Sequence, residues 1–123
     1  MNGQFQLCIR GDFVHVQLDP GFEISLDSMR AMWSAIFPVC EKRQVPKVLI
    51  EGDRPTRAMT KFDAYEHGWL VAHSPLRGLR AAFCLQNYAP DQLSYLFTQV
   101  ANGSFNTVGF FSDLELAMRW LNR

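Results

Sequence analysis

Residues 47–53 read Lys47-Val48-Leu49-Ile50-Glu51-Gly52-Asp53, and this stretch decides the class of fold. Val48, Leu49 and Ile50 form a short apolar run with no polar position between them. A strand buried on one face alternates apolar and polar residues. An unbroken run of this kind fits a strand covered on both faces, as in the middle of a parallel sheet. Leu79–Leu85 is a second such run, and Thr107–Phe111 reads as the last strand.

Helical spacing fills the intervals. Met29, Trp33, Ile36, Phe37 and Cys40 share one face of a helix that opens at Leu26, with Ser25 placed to cap it. Pro38 lies inside this pattern, which predicts a kink or an end near Phe37. A second helix is expected from Arg57 to Ala72, with Ala58, Phe62, Tyr65, Trp69 and Ala72 as its core stripe. Gly68 within it costs about 1 kcal/mol relative to Ala. Pro90 suits the first position of a third helix, whose apolar face is Leu93, Leu96, Phe97 and Val100 and whose stop is Asn102-Gly103. Ser112-Asp113-Leu114-Glu115 reads as a capping box with Ser112 as the cap. Leu114, Ala117, Met118 and Leu121 then face the core.

At the N-terminal end, Phe5, Leu7 and Ile9 alternate with polar positions and Phe13–Leu18 forms a second strand. Gly11-Asp12 between them makes a hairpin, which also accounts for the Arg10-Gly11-Asp12 tripeptide. The expected order is ββαβαβαβα: one α/β domain over residues 1–123, with a mixed, mostly parallel five-stranded sheet and helices packed on it.

Composition bounds the function. Twelve Lys+Arg balance twelve Asp+Glu in 123 residues, so no electrostatic case exists for nucleic acid or an anionic membrane. Low net charge leaves self-association open. Met1-Asn2-Gly3-Gln4-Phe5 is not a signal peptide, and no apolar run approaches the roughly 18 residues of a membrane span. Cys8, Cys40 and Cys84 are too widely spaced for a zinc or redox pair and are expected as buried, reduced thiols. A reducing cytoplasm is the expected compartment, where the Asn102-Gly103-Ser104 sequon stays unused.

The closing stretch Thr107-Val108-Gly109-Phe110-Phe111-Ser112-Asp113-Leu114-Glu115-Leu116-Ala117-Met118-Arg119-Trp120-Leu121 resembles the ending of stand-alone bacterial SpoIIAA-like (STAS-like) proteins. The element order resembles that superfamily over nearly the whole chain. The resemblance implies a regulatory or interaction module that dimerises or docks on a partner protein. Anti-sigma-factor antagonists of that superfamily carry a phosphorylated Ser or Thr at a strand-to-helix junction. The matching junction here is Asp53-Arg54-Pro55-Thr56-Arg57-Ala58-Met59-Thr60. It lacks the tandem hydroxyls and the glycine, so Thr56 is expected to cap a helix rather than to carry phosphate.

Open α/β sheets bind ligands outside the carboxyl ends of their strands. Those ends supply Glu51, Gly52, Asp53, Arg54, Thr56 and Arg57, then Gln86, Asn87 and Tyr88, then Ser112 and Asp113. Asp53, Arg54, Thr56, Arg57, Asn87 and Tyr88 are the candidates for a ligand or partner site, with an anion held at helix N-termini. Ordinary loop polarity and helix capping explain the same residues. Asp63 and His67 stand at i, i+4 and read as a solvated ion pair, since a third metal ligand is lacking. His15 and His73 read as structural, and Trp33, Trp69 and Trp120 as packing aromatics. No phosphate-loop, dinucleotide, zinc-protease or hydrolase-elbow string occurs. The expectation is therefore no catalytic residue, no metal and no cofactor. The function expected is a non-catalytic regulatory or interaction module, as a homodimer or with a protein partner. The alternative is a carrier or sensor of a small apolar or lipid-like ligand.

Overall fold

The computed structural model of the chain describes residues 4–53, 55–86, 88–89, 91–102 and 105–123. Five strands form the main sheet: β1 (Phe5–Arg10), β2 (Phe13–Leu18), β4 (Lys47–Gly52), β6 (Arg80–Leu85) and β7 (Thr107–Phe111). Two short strands, β3 (Glu23–Ile24) and β5 (Thr56–Arg57), pair in parallel as a separate ribbon. The helices are α1 (Leu26–Arg43), α2 (Lys61–Ala72), α3 (Gln92–Ala101) and α4 (Leu114–Leu121). The chain is thus α/β with a mixed, mostly parallel sheet, and the two ribbon strands are additions to the expected order.

The hairpin pairs Phe5 with Leu18 through to Arg10 with Phe13, closed by Gly11 at φ 61°. A left-handed residue at that tight turn costs glycine nothing. The sheet order is β1-β2-β4-β6-β7, with every pair after the hairpin parallel. Each crossover therefore steps the same way along the sheet. Crossovers of one hand and one direction place α1, α2 and α3 on a single face. There Trp33, Ile36, Val71 and Phe97 pack on Val14, Val48, Ala81, Phe83 and Val108. Among the described residues the opposite face carries α4 alone, whose Ala117 and Leu121 pack on Leu49, Ala82 and Cys84. Val48, Leu49 and Ile50 are all buried because β4 is covered from both sides.

Pro38 does not end α1, and the helix runs on to Arg43 with Gln44 as a left-handed cap at φ 55°. The missing N–H frees the carbonyl of Ser34 four residues back, and Ser34 and Pro38 both lie exposed, where water can bond that carbonyl. The start of α2 is Lys61 rather than Arg57. Thr60 caps it in a reciprocal box with Asp63, while Thr56 is drawn into β5. Thr56 is therefore no helix cap. At α4 the cap is Asp113, not Ser112, and accepts the Leu116 N–H at 3.2 Å. Leu114 is exposed rather than in the core. Helix α3 is capped by Asp91, whose carboxylate accepts the Ser94 N–H, and the expected first residue Pro90 lies outside the described residues.

The core stripe of α2 is not the one its aromatics mark. Ala64, His67, Gly68 and Val71 face inward, and Phe62, Tyr65 and Trp69 face out. Close packing is the reason. A Cβ added to Gly68 would lie 2.7 Å from Val100 Cβ and 2.9 Å from the Phe97 carbonyl oxygen on α3. The two helices approach too closely for anything bulky on that face. Asn106, whose role no local periodicity marks, pins the other end of the layer. Its Oδ1 accepts the Leu79 N–H at 2.9 Å, and its Nδ2 donates to the Val71 carbonyl and Ser74 Oγ at 3.0 Å each.

These contacts set the sign of one substitution. Gly68→Ala gains about 1 kcal/mol of helix propensity. The clash with a backbone carbonyl overrides it, so urea unfolding should show a net loss of about 1–3 kcal/mol. An unchanged or raised midpoint would mean that α2 and α3 part easily.

Candidate functional site

The parallel strands end together at Gly52, Leu85 and Phe111. Because the strand order runs one way, the sheet has no reversal point at which two crossovers diverge. The cleft at this end lies instead between α2, α3 and the ends of β6 and β7. It holds about 50 Å³ and is lined in part by Met59, His67, Phe83, Tyr88, Phe97 and Phe110. An adjoining depression of about 170 Å³ shares Ile24, Arg57, Leu85 and Tyr88 with it and adds Gln86.

Arg57 reaches the rim because the β3–β5 ribbon carries it there, with the Thr56 N–H on the Phe22 carbonyl and the Ala58 N–H on that of Ile24. Its guanidinium forks onto the carboxylate of Asp91, with Nη1 to Oδ1 at 3.1 Å and Nη2 to Oδ2. The Arg57 fork holds the Asp91 carboxyl well below the usual carboxylate range, with the Ser94 amide adding to it. The cation and the α3 cap are thus matched to each other. Tyr88 is fixed by stacking on Phe110, ring centroids 5.2 Å apart.

The inner wall centres on His67. Trp33 Nε1 donates to His67 Nε2 at 2.9 Å, and the imidazole stacks on Phe97 at 4.0 Å between centroids. An acceptor Nε2 requires the neutral ring with its proton on Nδ1. Burial pushes the His67 pKa down to about 3. The solvated Asp63–His67 pair expected from spacing is therefore wrong on both counts. His67 is 4% exposed, and Asp63 serves the Thr60 capping box.

The structure divides the six candidate residues. Arg57 and Tyr88 share the cleft. Asp53 lines a separate depression with Leu18, Phe22 and Pro55. Thr56 is exposed in the ribbon. Arg54 and Asn87 lie outside the described residues. Of the thiols, Cys40 and Cys84 are buried as expected, and Cys8 is exposed because its side of β1 is left open by α4. His15 is buried and hydrogen-bonded to Glu51 on the α4 face, away from the cleft. Among the described residues no three His, Cys, Asp or Glu side chains are arranged to hold a metal, and no helix is long and apolar enough to cross a membrane.

The second feature is the outward face of α2. Phe62, Tyr65 and Trp69 are 69, 50 and 51% exposed and fall at i, i+3 and i+7, one surface stripe. Trp69 stacks on His73 at 4.0 Å, and His73 Nδ1 lies 3.0 Å from the Trp69 carbonyl oxygen. The aromatic spacing was legible in the sequence, but its direction was not.

No protein-family model, curated protein or solved structure matches the chain.

The state of His67 has a pH signature. Its folded pKa lies near 3, below the ordinary 6.5 of the unfolded chain. The unfolded state therefore binds the proton first, and stability present above pH 6.5 is lost as the pH falls towards 3. Between about pH 6 and 4.5, above most carboxylate titrations, unfolding free energy should fall by up to about 1.4 kcal/mol per pH unit. His67→Gln keeps an acceptor for Trp33 and cannot titrate, so its urea midpoint should stay nearly flat over that window.

Proposed function

We propose that this chain is a non-catalytic regulatory or protein-interaction module of the reducing cytoplasm, resembling SpoIIAA-like proteins, which works through the aromatic stripe of α2. The outward placement of Phe62, Tyr65 and Trp69 carries this reading. Helix propensity at exposed positions is served as well by Lys or Glu, so it gives no reason for three large rings in line. Contiguous exposed apolar surface of this kind marks interaction sites. The stack of Trp69 on His73 already orders one ring, which lowers the entropy that binding would remove.

The partner proposed is a second copy of the chain. A net charge of zero sets up no repulsion between copies. The stripe is also self-complementary. An antiparallel twofold contact centred near Tyr65 sets Phe62 of one copy, three residues before it, against Trp69 of the other, four residues after it. The βα order and the Thr107–Leu121 ending support the SpoIIAA-like resemblance. The carrier alternative finds less support. A cleft of about 50 Å³ with an adjoining depression of about 170 Å³ falls short of the roughly 300–1,000 Å³ of small-molecule sites.

Sedimentation equilibrium at about 100 µM tests this. The chain should run at twice its 14.1 kDa mass. The double variant Phe62→Ser/Trp69→Ser should run as a monomer with unchanged far-ultraviolet circular dichroism. A monomeric wild type, or a dimer indifferent to both substitutions, would sink the reading.

A further inference from the structure

The face of the sheet that α4 leaves open carries a cluster that neither the cleft nor the α2 stripe uses. Cys8 on β1 and His15 on β2 are direct cross-strand partners. Odd and even positions alternate faces, so the inward Val14 and Val16 force His15 to the α4 side. Glu51, at the end of β4, projects to the same side as Leu49. His15 Nε2 lies 2.8 Å from Glu51 Oε1, and His15 Nδ1 lies 4.0 Å from Cys8 Sγ.

The two contacts assign the imidazole. An ionised carboxylate accepts hydrogen bonds and cannot donate them, so Nε2 carries the ring proton towards Glu51. Nδ1 then turns its lone pair towards the thiol. A nucleophile, a base and a carboxylate that orients the base stand in sequence, which is the arrangement that activates a thiol. Glu51 and Cys8 sit at opposite nitrogens of the ring, so the trio cannot close around one metal ion. Cys8 is exposed, whereas His15 is buried and the Glu51 side chain is 28% exposed. The base is sheltered while its nucleophile meets solvent. The other thiols differ. Burial pushes Cys40 up to about 11, and burial with the charges of Glu51 and Asp113 raises Cys84.

We infer that Cys8, His15 and Glu51 form a reactive-thiol site at which Cys8 undergoes exchange with small disulfides. His15 Nδ1 takes the thiol proton, and the sulfur attacks one sulfur of the disulfide. The new S–S bond forms as the old one breaks, and the released thiolate takes the proton from the imidazolium. Cys8 is oxidised to a mixed disulfide and the leaving half is reduced to a thiol, so one disulfide and one thiol stand on each side. Attack on sulfur is the reaction that fits, because charge moves onto the leaving sulfur and needs no donors for a developing oxyanion. An open strand face gives the access it requires. Cys8 acts as the nucleophile, His15 as its base and Glu51 as a positioning residue.

The probe is 5,5′-dithiobis(2-nitrobenzoate), added to the folded chain at neutral pH, with peptide mapping of the modified cysteine. Cys8 should react first, with Cys40 and Cys84 silent until urea is added. His15→Gln should slow Cys8 by at least about tenfold. Glu51→Gln should slow it by a smaller factor. In Glu51→Gln the pH profile of the Cys8 rate should move away from that of the wild type, a change that a merely structural carboxylate would not produce. A Cys8 rate unchanged in His15→Gln, or modification of Cys84 ahead of Cys8, would overturn the assignment. If His15→Gln does not fold, Glu51→Gln decides alone, and a full rate there overturns it as well.

Discussion

The hydrogen bond from Trp33 to His67 sets the terms for the larger half of this molecule. Trp33 is wholly buried, and its indole N–H must find an acceptor or cost the structure the desolvation of a polar group. His67, 34 residues further on, is that acceptor. The bond fixes the rotation of α2 against α1, the tautomer of the imidazole and its neutral state. Phe97 stacks on the same ring and Phe83 meets its edge, so α3 and β6 are registered to the one contact. Gly68, the next residue, lets α3 come close enough for that stack.

This rotation decides what α2 shows to solvent. The helix carries two possible inward faces, one aromatic and one made of Ala64, His67, Gly68 and Val71. Hydrophobic burial alone favours the aromatic one. The histidine acceptor and the glycine approach select the other, and the aromatics are turned out as a consequence. An exposed stripe of large rings is thus the surface expression of a core constraint.

The one-way strand order has its own effect. It collects three helices on one face and leaves α4 to cover β4, β6 and β7 on the other. The hairpin half of that second face stays open. Polar and thiol side chains of β1 and β2 therefore meet solvent beside a sheltered histidine, in a place that the strand-end rule for open sheets does not point to.

Much of this was legible in the residues alone. The apolar run at Val48–Ile50, the alternation of β1, the Ser25 cap and the strand at Thr107–Phe111 all follow from local periodicity and backbone chemistry, which a sequence records directly. So do the mixed sheet, the mostly parallel pairing and the burial of Cys40 and Cys84. What the tertiary structure decided depends on contacts between distant residues. Thr56 became a ribbon strand because Phe22 and Glu23 lie beside it, and Arg57 is held in an ion pair by Asp91. Asp63 and His67 looked like a pair by spacing and proved to serve a cap and a core. The helical period sets which residues of α2 share a stripe. Which stripe turns inward is set by the tryptophan, the glycine and the facing helix, because only packed partners can impose the distance at which a side chain fits or clashes.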